Sequence, residues 1–165
     1  MPGGQVPTLV ILLFFLRAAA QTVPPGWKLV KDSKSTCQIA VPPEWAPLSD
    51  STGAAVLRDA TTAIAVVTSQ PGQAFKALPE SLQKLMDIRK EKMFENTAKR
   101  IFYQDKTSRS LEDANAYSAS VPGKTGTCSC HVSFVPSVSE EIAKKIALSL
   151  GPVPESGEPV PHGPD

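Results

Sequence analysis

Apolar and polar residues alternate in short runs along much of the chain, a pattern typical of β-strands with one buried face. In the run 36–41, Cys37 and Ile39 fall on one face, and the run stops at Pro42. Runs of the same kind predict further strands over 28–31, 54–58, 62–68, 100–104, 114–121 and 127–135. The run 62–68 is apolar or β-branched on both faces, which indicates a strand in the middle of a sheet.

Two other segments have the 3.6-residue period of an amphipathic helix. The first predicts a long helix that begins at Pro79, a residue favoured in the first helical position. Its apolar residues form one stripe, which we interpret as core packing: Leu78, Leu82, Leu85, Met86 and Met93. The second helix begins at Ser137, which has capping-box spacing to Glu140, and stops at Gly151. This order of elements predicts an α+β fold, an antiparallel sheet of about six strands covered by two helices.

Both ends of the chain have compositions that set them apart from this domain. Leu9–Leu16 is an unbroken apolar run, too short to span a bilayer, and Ala18-Ala19-Ala20 follows it. This arrangement predicts a secretory signal peptide over residues 1–20. We therefore expect an exported protein, periplasmic or secreted, with no later membrane-spanning segment. Residues 151–165 contain five prolines and three glycines, which predicts a disordered tail. A single domain over residues 24–150 remains.

The charge balance argues against nucleic-acid binding. The full chain has 17 basic and 16 acidic residues, and Arg17 is the one charged residue of the predicted signal peptide. The mature chain therefore has equal numbers of each sign. Nucleic-acid-binding domains usually carry a strong basic excess, so we expect no nucleic-acid partner.

Three cysteines and one histidine form the most distinctive chemical group of the sequence. Cys128 and Cys130 share one face of the predicted strand 127–135, and His131 lies on the other face. Cys37 also lies on the apolar face of its strand. In an oxidising compartment we expect a disulfide between Cys37 and either Cys128 or Cys130. A bridge between Cys128 and Cys130 is disfavoured, because their Cα atoms would be about 6.6–7 Å apart along one strand.

Candidates for catalysis are few. The chain has two histidines, His131 and His162, and the second lies in the predicted tail. Nucleophilic catalysis needs a base within reach of the nucleophile, and no pair of carboxylates or helical His-x-x-x-His motif stands out. We therefore assign no catalytic, cofactor-binding or metal-binding residue from the sequence.

The run Ile39–Trp45 (IAVPPEW) resembles the opening strand and Pro-x-x-Trp turn of the PsbP-like (Mog/PsbP) domains. The apolar strand Ala63–Val67, the central helix and a closing helix that ends in Ile146–Leu150 support the likeness, which covers about residues 27–150. That family includes extrinsic photosystem subunits, a Ran-binding nuclear protein and many exported bacterial proteins of unknown role. The resemblance implies the family's fold and a binding or accessory role, and it supplies no shared catalytic residue.

These observations leave three functional hypotheses. The leading one is an exported, non-catalytic domain without a cofactor, which binds or assists another protein. The second is a hydrolase-like enzyme whose Asp, Glu or Ser residues come together only in the fold. The third is a metal or redox protein built on Cys128, Cys130 and His131.

Overall fold

A computed structural model describes residues 23–48, 55–59, 63–105, 115–135 and 140–155. Within these residues the chain forms ten strands and two helices. In chain order they are β1 Lys28–Lys31, β2 Cys37–Val41, β3 Ala46–Leu48, β4 Ala55–Asp59, β5 Ala63–Pro71, α1 Glu80–Ile88, β6 Lys92–Asn96, β7 Ile101–Asp105, β8 Asn115–Pro122, β9 Gly126–Phe134, α2 Glu140–Leu148 and β10 Gly151–Pro152. All paired strands are antiparallel. The predicted α+β class, with antiparallel strands and two helices, is confirmed.

The larger of two sheets has seven strands in the order β3-β4-β5-β9-β8-β7-β6. Its centre consists of β5, β9 and β8, which have nine, nine and eight residues. Ala63, Ala65 and Val67 of β5 are buried on one face, and Ile64 and Val66 are half-buried on the other. The interior position predicted for the run 62–68 is therefore confirmed.

The turn between β8 and β9 depends on glycine. The Gly123 N–H donates to the Gly126 carbonyl over 2.7 Å, which closes the turn. A Cβ on Gly126 would lie 2.1 Å from the backbone oxygen of Gln70, so no other residue fits where β9 meets the end of β5.

The smaller sheet has the order β1-β2-β10 and lies against the larger one. Every residue of its central strand β2 is buried, because β2 contacts β5, β9 and helix α2. Just before β10 in the chain, the side chain of Ser149 also hydrogen-bonds to β2. Its Oγ accepts a hydrogen bond from the Ala40 N–H over 2.8 Å and donates to the Ile146 carbonyl over 2.6 Å.

Helix α2 and β2 cover the same face of the larger sheet, which we call the inner face. Ile146 of α2 and Leu150 just after it are buried, and Ile142 is partly buried against the core. A row of stacked aromatic rings lies on the inner face beside α2: Phe94, Phe102, Tyr117 and Phe134. The predicted helix start at Ser137 lies outside the described residues.

The first predicted helix is shorter than its apolar pattern indicated. Helix α1 ends at Ile88, with Arg89 as its C-cap, and Lys90 has a left-handed φ of 59°. Met93, predicted to continue the helical stripe, belongs to β6 and pairs with Tyr103 of β7. The residues between α1 and β6 are all charged and include no glycine or proline, so the local sequence does not predict that the helix ends here. The helix ends because the following residues pair with β7 as strand β6.

Two further strands were not predicted. Residues 46–48 form β3 at one edge of the larger sheet. Gly151 and Pro152 pair with β2, and the Val153 N–H donates to the Thr36 carbonyl over 2.9 Å. The prediction that disorder starts at residue 151 is therefore wrong for these residues. Pro152 is tolerated because β10 is an edge strand. The rest of the tail, 156–165, and the predicted signal peptide, 1–20, lie outside the described residues.

Candidate binding surface

The cysteines lie where the two sheets meet. A disulfide joins Cys37 of β2 to Cys128 of β9, with their Cα atoms 5.6 Å apart, and Cys130 is a free, buried thiol. This is one of the two pairings that the sequence left open. Because both joined residues are buried, the bond connects the two sheets within the core.

The turn before β2 holds Cys37 in place. Asp32 Oδ1 accepts hydrogen bonds from the N–H groups of Thr36 and Cys37, over 2.8 and 3.0 Å. Burial opposes ionisation of the Asp32 carboxyl, but hydrogen bonds, including these two, hold its pKa below the ordinary value. The carboxylate is therefore charged at neutral pH and fixes the backbone at the start of β2.

The structure does not bring Cys128, Cys130 and His131 together as ligands. His131 lies on the opposite face of β9 from both cysteines, as the alternation predicted. Burial raises the pKa of the Cys130 thiol to about 12, so it is protonated and a poor ligand or nucleophile. Among the described residues, no group of three His, Cys, Asp or Glu side chains could hold a metal ion. The cleft beside the disulfide has room for about one water molecule.

A row of polar side chains crosses the opposite, outer face of the larger sheet. Tyr103 of β7, Ser118 of β8 and His131 of β9 are directly opposed in the strand register. Ser118 Oγ lies 2.8 Å from His131 Nδ1, and Ser118 also hydrogen-bonds the Tyr103 hydroxyl. We call these three residues the polar row. Sequence reasoning found His131 but missed both partners, because strand alternation gives the face of a residue and not its neighbours across the sheet.

The polar row is uncharged near neutral pH. Burial lowers the pKa of His131, while the nearby Asp105 acts in the opposite direction and the lowering prevails. Burial raises the pKa of Tyr103; Ser118 opposes this shift, and Glu91 and Asp105 add to it. The row is therefore a network of neutral hydrogen-bonding groups on a half-buried surface.

The polar row contains one pair with catalytic potential. A neutral histidine 2.8 Å from a serine hydroxyl could act as its base. Two features oppose acyl transfer. Ser118 is only 8% exposed, and β8 is paired on both sides, so its backbone N–H groups belong to the sheet ladders and cannot form an oxyanion hole. The pair more plainly satisfies buried polar groups of the sheet.

Helix α1 presents an apolar face to solvent. Leu82, Leu85 and Ile88 follow one another at three-residue spacing and are 44%, 40% and 77% exposed. We call these three residues the α1 face. The prediction that this stripe packs in the core is wrong for Leu82 and Leu85, whereas Met86 is buried. The reason is the position of the helix, which contacts β6 at the end of the larger sheet.

The approach to α1 is held firmly against the sheet. The Leu78 N–H donates to Asn96 Oδ1 over 2.8 Å, and Asn96 Nδ2 donates to the Leu78 carbonyl over 3.0 Å. This paired contact joins the start of α1 to β6. The exposed face is thus carried on an anchored helix, and its apolar residues keep a defined geometry.

Comparisons with known proteins show a likeness in fold. No family model matches the chain, and no curated protein matches it. Among solved structures, one match is a protein from Bacteroides thetaiotaomicron VPI-5482, with a TM-score of 0.52 and 16% sequence identity. The match covers 81% of this chain and 50% of the other, so this chain spans about half the length of that protein. The likeness shows a shared fold. In the part of the chain that the structure describes, no helix is long and apolar enough to cross a membrane.

Proposed function

We propose that this protein is an exported, non-catalytic accessory domain that binds another protein through the α1 face. The observation that carries the proposal is the exposure of three large apolar side chains at helical spacing on an anchored helix. Clustered apolar side chains on a surface mark interaction sites more often than scattered ones do. Apolar residues about one turn apart along one side of a helix are also the anchors with which a helix occupies a groove of another protein.

The resemblance of Ile39–Trp45 and the surrounding elements to PsbP-like domains supports the same proposal, because it implies a binding or accessory role. We propose membership of that family as an explanation of this likeness. The role assigned to the α1 face comes from this chain alone.

Site-specific photo-crosslinking tests the binding role. A photo-reactive amino acid replaces Ile88 in the full chain, which is expressed in the cells that naturally make the protein. The same residue placed at Glu44, an exposed turn position on a different element, is the matched control. We expect a discrete crosslinked protein from position 88 and none from position 44. Equal crosslinking from both positions, or none from position 88, contradicts the proposal.

Removal of the apolar side chains provides a second readout. The variant Leu82→Ser/Leu85→Ser should lose the crosslink from position 88. Its free energy of unfolding should change by less than about 1 kcal/mol, because both side chains are substantially exposed. A large loss of stability would instead mean that these residues support the fold.

Export is a separate part of the proposal. The disulfide between Cys37 and Cys128 supports an oxidising, extracytoplasmic environment, since such bonds are rare in the cytoplasm. N-terminal sequencing of the exported protein should begin at Gln21 or within a residue or two of it. Full-length protein retained inside the cell would contradict export without affecting the binding test.

A second candidate function, hydrolysis, is favoured by one observation, the contact between Ser118 and His131. A fluorophosphonate probe that labels the wild type and fails to label Ser118→Ala would support it. Absence of labelling in native protein would contradict hydrolysis, as the burial of the Ser118 hydroxyl leads us to expect.

A further inference from the structure

We infer that the partner of the α1 face is a protein groove with an apolar centre and a rim of carboxylates. The inference rests on the proposed function, because it names the chemistry of the partner that the same face binds. It comes from how charge is distributed around α1.

Two positive side chains lie on or beside the α1 face. With 3.6 residues per turn, Lys84 lies about 100° to one side of Leu85, beyond Ile88. Arg89 lies about 40° to the other side, between Leu85 and Leu82. Arg89, the C-cap, keeps helical backbone angles, with φ −79° and ψ 0°, so its position around the helix follows the same spacing. Both residues are exposed. A partner that covers Leu85 therefore meets Arg89, whose charge also acts on Glu91, and comes close to Lys84.

Negative side chains of α1 lie away from that face. Glu80 and Asp87 are about 140° and 160° from Leu85 around the helix axis. Glu80 forms an ion pair with Lys84 over 2.8 Å, but the two side chains are 81% and 71% exposed. An ion pair this exposed stabilises a helix very little, so Lys84 can exchange Glu80 for a carboxylate of the partner. The α1 face is thus apolar with one positive side chain on it and one beside it, which complement carboxylates of a partner.

Two other occupants fit this face less well. A second copy of the chain, with the two α1 helices antiparallel and symmetric about Leu85, would place Lys84 beside Lys84 of the other copy. Like charges at such a contact oppose association. A bilayer would receive three apolar side chains from a nine-residue helix, which is a small area for stable insertion. A groove in a protein needs only a few such anchors.

The test reverses charge while the crosslinker remains at position 88. In the full chain, the variant Lys84→Glu/Arg89→Glu is compared with Lys31→Glu/Lys34→Glu, which changes net charge equally at exposed positions on and beside β1. We expect the crosslinked fraction to fall about tenfold or more in the first variant, because attraction becomes repulsion, and less than about twofold in the second. Raising NaCl from about 0.05 to about 0.5 M should also weaken the wild-type crosslink.

Mass spectrometry of the crosslinked peptide identifies the occupant. The expected peptide comes from another protein and carries Asp or Glu within one helical turn of its apolar residues. A crosslinked product of two copies of this chain, or equal crosslinking in the two reversal variants, overturns the inference and leaves the binding role intact. Sedimentation of the protein with vesicles of phosphatidylglycerol, lost in the Lys84→Glu/Arg89→Glu variant, would instead assign the face to lipid. If position 88 gives no specific crosslink, the proposed function fails together with the inference.

Discussion

Removal of the disulfide between Cys37 and Cys128 should cause a large loss of stability. The two residues are 91 positions apart, so the bond closes a loop that includes most of the described strands. In the chain-entropy description, closing a loop of that length stabilises the folded state by about 4–5 kcal/mol. Domains of this size have total stabilities of about 5–15 kcal/mol. The bond therefore accounts for about a quarter or more of the free energy of unfolding.

The perturbation is the variant Cys37→Ala/Cys128→Ala, and the assay is urea unfolding followed by circular dichroism. Cys130→Ala is the matched control, since it removes one buried sulfur from the same strand without opening a loop. We expect the control to lose about 1 kcal/mol through packing alone. The double variant should lose about 4–5 kcal/mol plus a packing loss of this kind for each sulfur. A reducing agent should destabilise the wild type and leave the double variant unchanged.

Two results would refute this reasoning. One is a double variant that loses no more stability than twice the loss of Cys130→Ala. The other is a non-reducing peptide map in which Cys37 and Cys128 carry free thiols. A map that joins Cys37 to Cys130 would retain the stabilising loop but contradict the pairing of Cys37 with Cys128.

Three further predictions concern single buried groups. Ser149→Ala should destabilise the domain by about 1–3 kcal/mol in the same urea assay, because the Ala40 N–H loses the Oγ that it bonds over 2.8 Å; a neutral effect would contradict this. The pKa of His131 is lowered by burial, so the unfolded chain binds the proton more tightly and stability is lost as pH falls below about 6.5. An NMR titration should give a midpoint for His131 below 6.5, and a midpoint above it would be inconsistent with the buried polar row. Burial raises the pKa of Cys130 to about 12, so iodoacetamide at mildly alkaline pH should modify Cys130 only after denaturation. Rapid modification of native protein would show instead that the thiol is accessible.

Local pattern determined most of the secondary structure and the faces of the strands. The predicted strand 28–31 coincides with β1, and the predicted strands 100–104 and 114–121 differ from β7 and β8 by one residue at each end. The placement of His131 opposite the cysteines was also predictable. The reason is that the two-residue period of a strand depends on neighbours in sequence, so alternation alone assigns each side chain to a face.

Features that depend on packing between distant segments could not be predicted from the local sequence pattern. Whether Cys37 meets Cys128 or Cys130 depends on how β2 lies over β9, and both choices satisfy the same alternation. The partnership of Ser118 with Tyr103 and His131 depends on strand register, which is fixed by pairing over many residues.

The α1 face shows most clearly the difference between what local sequence determines and what tertiary structure determines. The sequence determined that Leu82 and Leu85 share one side of a helix, because helical periodicity is local. It did not determine whether that side faces the core or solvent. Helix α1 ends early because the chain after it pairs as β6, and this pairing places the helix at the end of the sheet rather than over its centre. An amphipathic pattern records which residues lie together, and only the tertiary structure decides what covers them.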